Sequence, residues 1–237
     1  MHLTRITRIF VGLMAVTALA TIANALHEGV QWHPYPTLAL IAIAALTSQM
    51  RVKIPGISGS MSVNLPFLLI AVLYLSSFEA ILVAAIAAAV QTLPFQGGSL
   101  KPAQMVFNAS MMTFASGAAS LLARHRALGA GVTNHLLLVG MSVVFFLGQT
   151  VPVSTIIALT EGGSLAKIWA GIVKLTFPYY VLSTGIASMV RVLDRPGVIA
   201  GLLVAAVMYG TYRSYQAYFA KPATSPRPAA VAAVAGH

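Results

Sequence analysis

Only four side chains in this 237-residue sequence are acidic, Glu28, Glu79, Glu161 and Asp194, and long apolar runs lie between them. Charged residues amount to 8% of the chain against 58% hydrophobic, and the mean hydropathy is +0.86. A soluble domain carries about 25% charged residues. A chain so poor in charge cannot cover itself with a water-compatible surface, so it reads as an all-α, polytopic integral membrane bundle.

A bilayer core of ~30 Å takes ~20 apolar residues per helix. The candidate spans are 9–26, 36–50, 63–77, 79–95, 104–123, 136–159, 175–193 and 196–216. That makes about eight, with seven as the alternative, because 63–77 and 79–95 form either a tight hairpin or a pair with one re-entrant member. The domain expected is a membrane-embedded unit over 1–219, followed by a disordered tail over 220–237 rich in Pro and Ala.

The formal net charge of +10 would suggest nucleic acid in a soluble protein. Here the cations stand singly and in pairs between apolar runs, without a basic stripe interleaved with aromatics, so nucleic acid is not an expected partner. They report topology instead. With both termini on one side, Arg5, Arg8, Arg51, Lys53, Lys101, Lys167, Lys174, Arg213, Lys221 and Arg227 fall on that side. Arg124, Arg126, Arg191 and Arg195 fall on the other. Ten against four places both termini in the cytoplasm. A competing reading takes Arg5, Arg8, the apolar run and Ala23-Asn24-Ala25 as a cleavable signal peptide.

Between the second and third spans, Pro55, Gly56, Gly59 and Pro66 forbid a continuous helix. Irregular backbone of this kind must sit in water or be buried against protein. The sequence contains no cysteine, which removes disulfides and thiolate chemistry. It also lacks HExxH, GxSxG, P-loop and GxGxxG patterns, and its acids are scattered. Neither an enzyme nor a cofactor is expected.

Polar residues within spans are costly in lipid and are the natural candidates for a ligand site. Gln104 and Asn108, four apart, share a helix face, with Ser116 and Ser120 further along. Gln149 and Thr150 precede Pro152, whose ring frees a carbonyl and kinks the helix. The alternative for all of these is interhelical hydrogen bonding that serves packing. In the loop after the first span, Trp32 and His33 are further ligand candidates, set against an interfacial aromatic belt of Trp32 and Tyr35. His27, Glu28 and His33 lack the spacing of a metal site on one helix face, so no metal is expected. Ala80, Ala84 and Ala88 form a small-residue row suited to close helix packing, within the chain or in a homo-oligomer.

Lys174 invites reading as an ion-pathway residue, but 175–193 already supplies enough length to cross a bilayer. The stretch 164–174 is therefore expected as a separate helix lying in the cytoplasmic interface. Leu165, Ile168, Trp169 and Ile172 would form its apolar stripe, Lys167 and Lys174 its polar face, and Ser164 its N-cap. A longer tilted span with Lys174 snorkelling is the alternative.

Read in order, RVKIPGISGSMSVNLPFLL, LYLSSFEAILVAAIAAAVQTL, VFNASMMTFASGAASLL, ALTEGGSLAKIWAG, FPYYVLSTGIASMV and MYGTYRSYQAYF form a series over most of 36–219. The series resembles the multi-span membrane region found ahead of HD-GYP phosphodiesterase and related cyclic-dinucleotide output domains in bacteria. The likeness rests on Pro55, Pro66, Phe107-Asn108, Gly162 to Leu165, Trp169, Pro178-Tyr179 and Arg213 to Tyr215. It implies a non-enzymatic sensor region in the bacterial inner membrane that binds a small molecule or protein partner. The sequence carries no HD-GYP, GGDEF or kinase motif, so signal output is expected from a separate protein or to be absent. The run NLPFLLIAVLYLSSFEAILVAAIAAAV is similar to S components of energy-coupling-factor vitamin transporters, which implies an uptake subunit bound to an ATPase module. The first span lacks the Ala-x3-Ala docking pair those subunits usually show. A structural membrane protein without a ligand is the third expectation.

Overall fold

Helix boundaries follow from local chemistry. Thr4 caps the first helix, α1 (Arg5–His27), its hydroxyl accepting from the Thr7 amide at 3.2 Å. Gly29, at φ +88°, turns the chain after α1. Prolines open α2 (Pro34–Ser48) and α3 (Leu65–Tyr74), where a missing amide hydrogen costs nothing. Ser76 and Glu79 form a complete capping box at the head of α4 (Ser77–Thr92). The rest of the chain forms α5 (Pro102–Arg124), α6 (Asn134–Glu161), α7 (Leu165–Val192) and α8 (Val198–Ala220). Gly162 and Gly163, at φ +79° and +108°, end α6. These elements belong to a computed structural model that describes residues 4–53, 60–94, 101–124, 134–192 and 198–220. Pro55, Gly56, Gly59, Asp194 and the tail beyond Ala220 lie outside the described residues.

The fold is helical, with one small addition to the all-α expectation. Arg51–Lys53 (β1) and Ser60–Ser62 (β2) pair antiparallel, with Arg51 opposite Ser62. The pairing satisfies backbone groups that a Pro- and Gly-interrupted stretch cannot bond within a helix. Among the described residues three helical stretches are long and apolar enough to cross a membrane: Arg5–His27, Pro102–Arg124 and Leu136–Glu161. The helices α2, α3 and α4 are apolar but shorter, at 15, 10 and 16 residues. At ~1.5 Å per residue they reach only about 15–24 Å. Leu75 and Ser76 alone join α3 to α4 in a tight turn.

Hydrogen bonds order the first five helices up and down. The end of α1 meets the head of α4 through Glu28 and Ser77, and the head of α2 meets it through His33 and Glu79. The end of α5 meets the end of α3 through Arg124 and the Leu75 carbonyl. These contacts define a far end, opposite the start of α1. At the near end Gln49 donates to the Val90 carbonyl at 2.9 Å and Arg51 to the Leu93 carbonyl at 2.9 Å. Arg51 thus places a cation on the negative end of the α4 dipole.

The centre is α3, α4 and α5. Ala80, Ala84 and Ala88 are at most 1% exposed, so the small-residue row is an internal packing surface. By contrast α1 shows Ile6, Ile9, Leu13, Val16 and Leu19 outward, as a lipid-facing helix does. Two glycines set how closely helices approach. A Cβ on Gly148 of α6 would lie 3.1 Å from the Ala115 backbone, and one on Gly117 of α5 only 2.1 Å from Thr21 Cγ2.

The expected separate helix over 164–174 is corrected: 165–192 is one continuous helix. Lys174, Leu175, Thr176 and Phe177 include no helix breaker, and Pro178 sits inside α7 and is accommodated there. The stripe has a protein partner as well. Ile172 is buried, Ile168 and Trp169 are half-buried, and the Trp169 indole donates to Thr150 of α6 at 3.2 Å. Leu165, Lys167 and Lys174 are exposed.

The α1–α5 approach yields a stability prediction. Gly117→Ala forces Thr21, β-branched and fixed in a helix, out of its place. It should lower stability by about 1–3 kcal/mol, read as earlier thermal unfolding in detergent, whereas Gly12→Ala, with open space around it, should not.

Candidate functional site

Two polar centres occur among the described residues. The first is a carboxylate junction at the far end. Glu79 is fully buried, and its carboxylate gathers five donors. Oε1 accepts from the His33 amide and from the Thr37 hydroxyl at 2.7 Å. Oε2 accepts from the Ser76 amide at 3.0 Å, the Ser76 hydroxyl at 2.8 Å and the His33 ring Nδ1 at 3.1 Å. Glu79 lies in the first turn of α4, and His33 is the N-cap of α2. One negative charge therefore serves the positive ends of two helices. Charge-assisted bonds of this kind offset the desolvation of a buried carboxylate.

The second centre is a seam between α5, α6 and α7. The Tyr180 hydroxyl donates to Gln149 Oε1 in a short contact, and the Gln149 amide donates to the Met112 sulfur at 3.2 Å. One position further, Thr150 accepts from the Trp169 indole at 3.2 Å and donates to the Phe146 carbonyl at 2.8 Å. Phe146 lies edge-on to the Tyr180 ring at 4.7 Å between centroids. Next to Tyr180, the Tyr179 hydroxyl accepts from the Leu65 amide at 3.0 Å, which satisfies a donor at the start of α3. Asn64 donates to Ser48 at 2.8 Å and accepts from Ser62 at 3.0 Å. Pro152 and Pro178 interrupt the backbone ladders of α6 and α7 close to this seam.

The six ligand candidates read from sequence divide between these places. Gln149 and Thr150 belong to the seam, and His33 to the junction. Trp32 is 52% exposed beside it. Asn108 donates to Thr92 at 3.2 Å and ties α5 to α4, while Gln104 is exposed at the start of α5. Ser116 and Ser120 are buried with no hydrogen-bond partner for their hydroxyls among the described residues. No group of three or more His, Cys, Asp or Glu suited to a metal occurs there either.

Sequence reasoning did not name Glu79, Thr37, Asn64, Tyr179 or Tyr180 as site candidates. Ser76-x-x-Glu79 carries the capping-box pattern, which marks a helix start, and an acid among apolar runs is itself a signal. Tyr179 and Tyr180 give no local signal beyond their polarity.

No family model, curated protein or solved structure matches the chain.

The junction is testable through the carboxylate's charge. Glu79→Gln places an amide donor against donors from His33 and Ser76. It should cost about 3–5 kcal/mol, as the breaking of a buried ionic network does, read as a loss of folded protein on denaturant titration in micelles. Near-unchanged stability would mean that the far end is held by other contacts.

Proposed function

We propose that the chain is a non-enzymatic, multi-span protein of the bacterial inner membrane, of sensor-region type, whose seam between α6 and α7 receives a small molecule or a protein partner. The observation that carries this reading is the Gln149–Tyr180 link, set between two helices that each contain a proline. Side-chain links between proline-containing helices can be exchanged for a ligand's hydrogen bonds without breaking further backbone ones. A ligand with one hydroxyl donor would replace the Tyr180 hydroxyl on Gln149. Parting of α6 from α7 would then carry the event toward the near end, where α6 finishes and α7 begins. The resemblance to membrane regions of cyclic-dinucleotide signalling proteins supports a separate protein as the output.

Affinity purification of the tagged full chain from native membranes tests this. A signalling kinase or phosphodiesterase should co-purify, and Gln149→Leu, which leaves the Tyr180 hydroxyl without its acceptor, should reduce its recovery. Recovery of an ATPase pair instead would overturn the sensor reading in favour of an uptake subunit.

Eight crossings with both termini in the cytoplasm complete the proposal. The up-and-down order of α1 to α5 and the excess of cations at the near end support it. Reporter fusions after Arg124 and after Asp194 should register the outer side, and fusions after Lys101 and Lys221 the cytoplasm. Cytoplasmic signals at both of the first two positions would refute that topology.

A further inference from the structure

The far-end junction sets α1 and α2 at one level. The end of α1 reaches the head of α4 through Glu28 and Ser77, and the head of α2 reaches it through His33 and Glu79. Tyr35, 86% exposed at the head of α2, is an aromatic anchor at that level. From there α1 runs for 23 residues and α2 for 15. At ~1.5 Å per residue their near ends differ in depth by about 12 Å. Because the far ends are tied, the whole deficit falls on the near side.

A short helix inside a bundle is hidden from lipid, and α3 and α4 are buried or half-buried over most of their length. The outer face of α2 is open. Leu38, Ile43 and Leu46 point outward at 60%, 40% and 71% exposure. Thr47, Ser48 and Gln49 follow, then Arg51 in β1, so the apolar face ends there. Lipid meets a helix that is too short by thinning, by snorkelling of its flanking residues or by association of copies. Snorkelling is closed to Arg51, because its Nη2 is held by the Gln49 side-chain oxygen at 3.1 Å and the Leu93 carbonyl at 2.9 Å. An undisturbed hydrocarbon core of ~30 Å would leave this charge below the headgroups, where it is costly.

We propose that α2 is a membrane-thinning edge, along which the near leaflet dips and a phospholipid phosphate comes down to Arg51. The half-buried guanidinium supplies the positive partner that a phosphate takes. This edge rests on the membrane placement of the chain and is independent of the seam between α6 and α7.

Depth measurement by nitroxide labelling tests the proposal. The sequence has no cysteine, so a single introduced one carries the label without background. Val16 of α1, 62% exposed, and Leu46 of α2 stand about 17 and 18 Å from the shared far level. Val16→Cys and Leu46→Cys are compared by oxygen and nickel-chelate accessibility, in the full chain reconstituted in vesicles of dioleoyl phosphatidylcholine and phosphatidylglycerol. Arg51 is five positions beyond Leu46, about 7 Å, whereas a flat bilayer leaves about 12 Å to the near headgroups. The Leu46 label should therefore lie about 5 Å closer to those headgroups than the Val16 label, which should read near the bilayer centre. Arg51→Gln, which keeps a donor and removes the charge, should return the Leu46 label toward the depth of the Val16 label. Equal depth at the two positions overturns the thinning and leaves the membrane placement standing, whereas a Val16 label in water overturns both. Spin–spin broadening at Leu46 would place a second copy over α2 and overturns the proposal, as does a Leu46 depth unchanged by Arg51→Gln. The comparison of the two labels keeps Arg51 in place, so it decides the thinning even where that variant does not fold.

Discussion

A carboxylate removed from water must be met by donors, and the far end of this protein is organised around that requirement. Glu79 is fully buried, and the groups that meet it come from two segments far apart in sequence, the His33–Thr37 head of α2 and the Ser76 cap of α4. Because the carboxylate closes both helix starts, the short α2 and α4 are held at one level. The α3–α4 turn beneath them is pinned by Arg124, which reaches the Leu75 carbonyl from the end of α5. A shared cap at their heads helps segments of only 15 and 16 residues to stay ordered within an apolar bundle.

Below that level, packing is set by shape more than by hydropathy. In an apolar surrounding, contact between helices gains little from the hydrophobic effect, so close approach and hydrogen bonding decide which helices touch. Alanines on α4, Gly117 against Thr21 and Gly148 against Ala115 supply the close approach. Asn108 with Thr92, Tyr179 with the Leu65 amide and Tyr180 with Gln149 supply the bonds. The structure is tightly fastened between α1 and α5. Between α6 and α7 the links are side chain to side chain and adjoin prolines, which is why a responsive element is proposed there.

Several features were legible from residue order because their causes are local. The break at Gly162-Gly163 is one such feature, and the starts expected at 36, 63 and 79 fall two positions from the observed Pro34, Leu65 and Ser77. Gln104 and Asn108 show the limit of such reasoning. Spacing puts both on one face of α5, yet Asn108 meets Thr92, the last residue of α4, so Gln104 one turn earlier has already passed the end of its neighbour. Of the expected stripe, Ile172 is buried, Ile168 and Trp169 are half-buried and Leu165 is exposed. Periodicity does not say whether lipid or another helix covers a face, and here Trp169 meets α6 through Thr150.

By itself, the sequence determined the helical class, the approximate helix positions and the row of small residues on α4, because hydropathy and capping act within a turn or two. Only the tertiary structure decided that α7 runs unbroken past Lys174, that a strand pair satisfies the backbone between α2 and α3, and which partner each polar side chain found. His33 and Glu79 are 46 positions apart, and Gln149 and Tyr180 are 31 apart. Pairings at that distance depend on the rotation and depth of whole helices, which arise from the fit of all neighbouring surfaces at once.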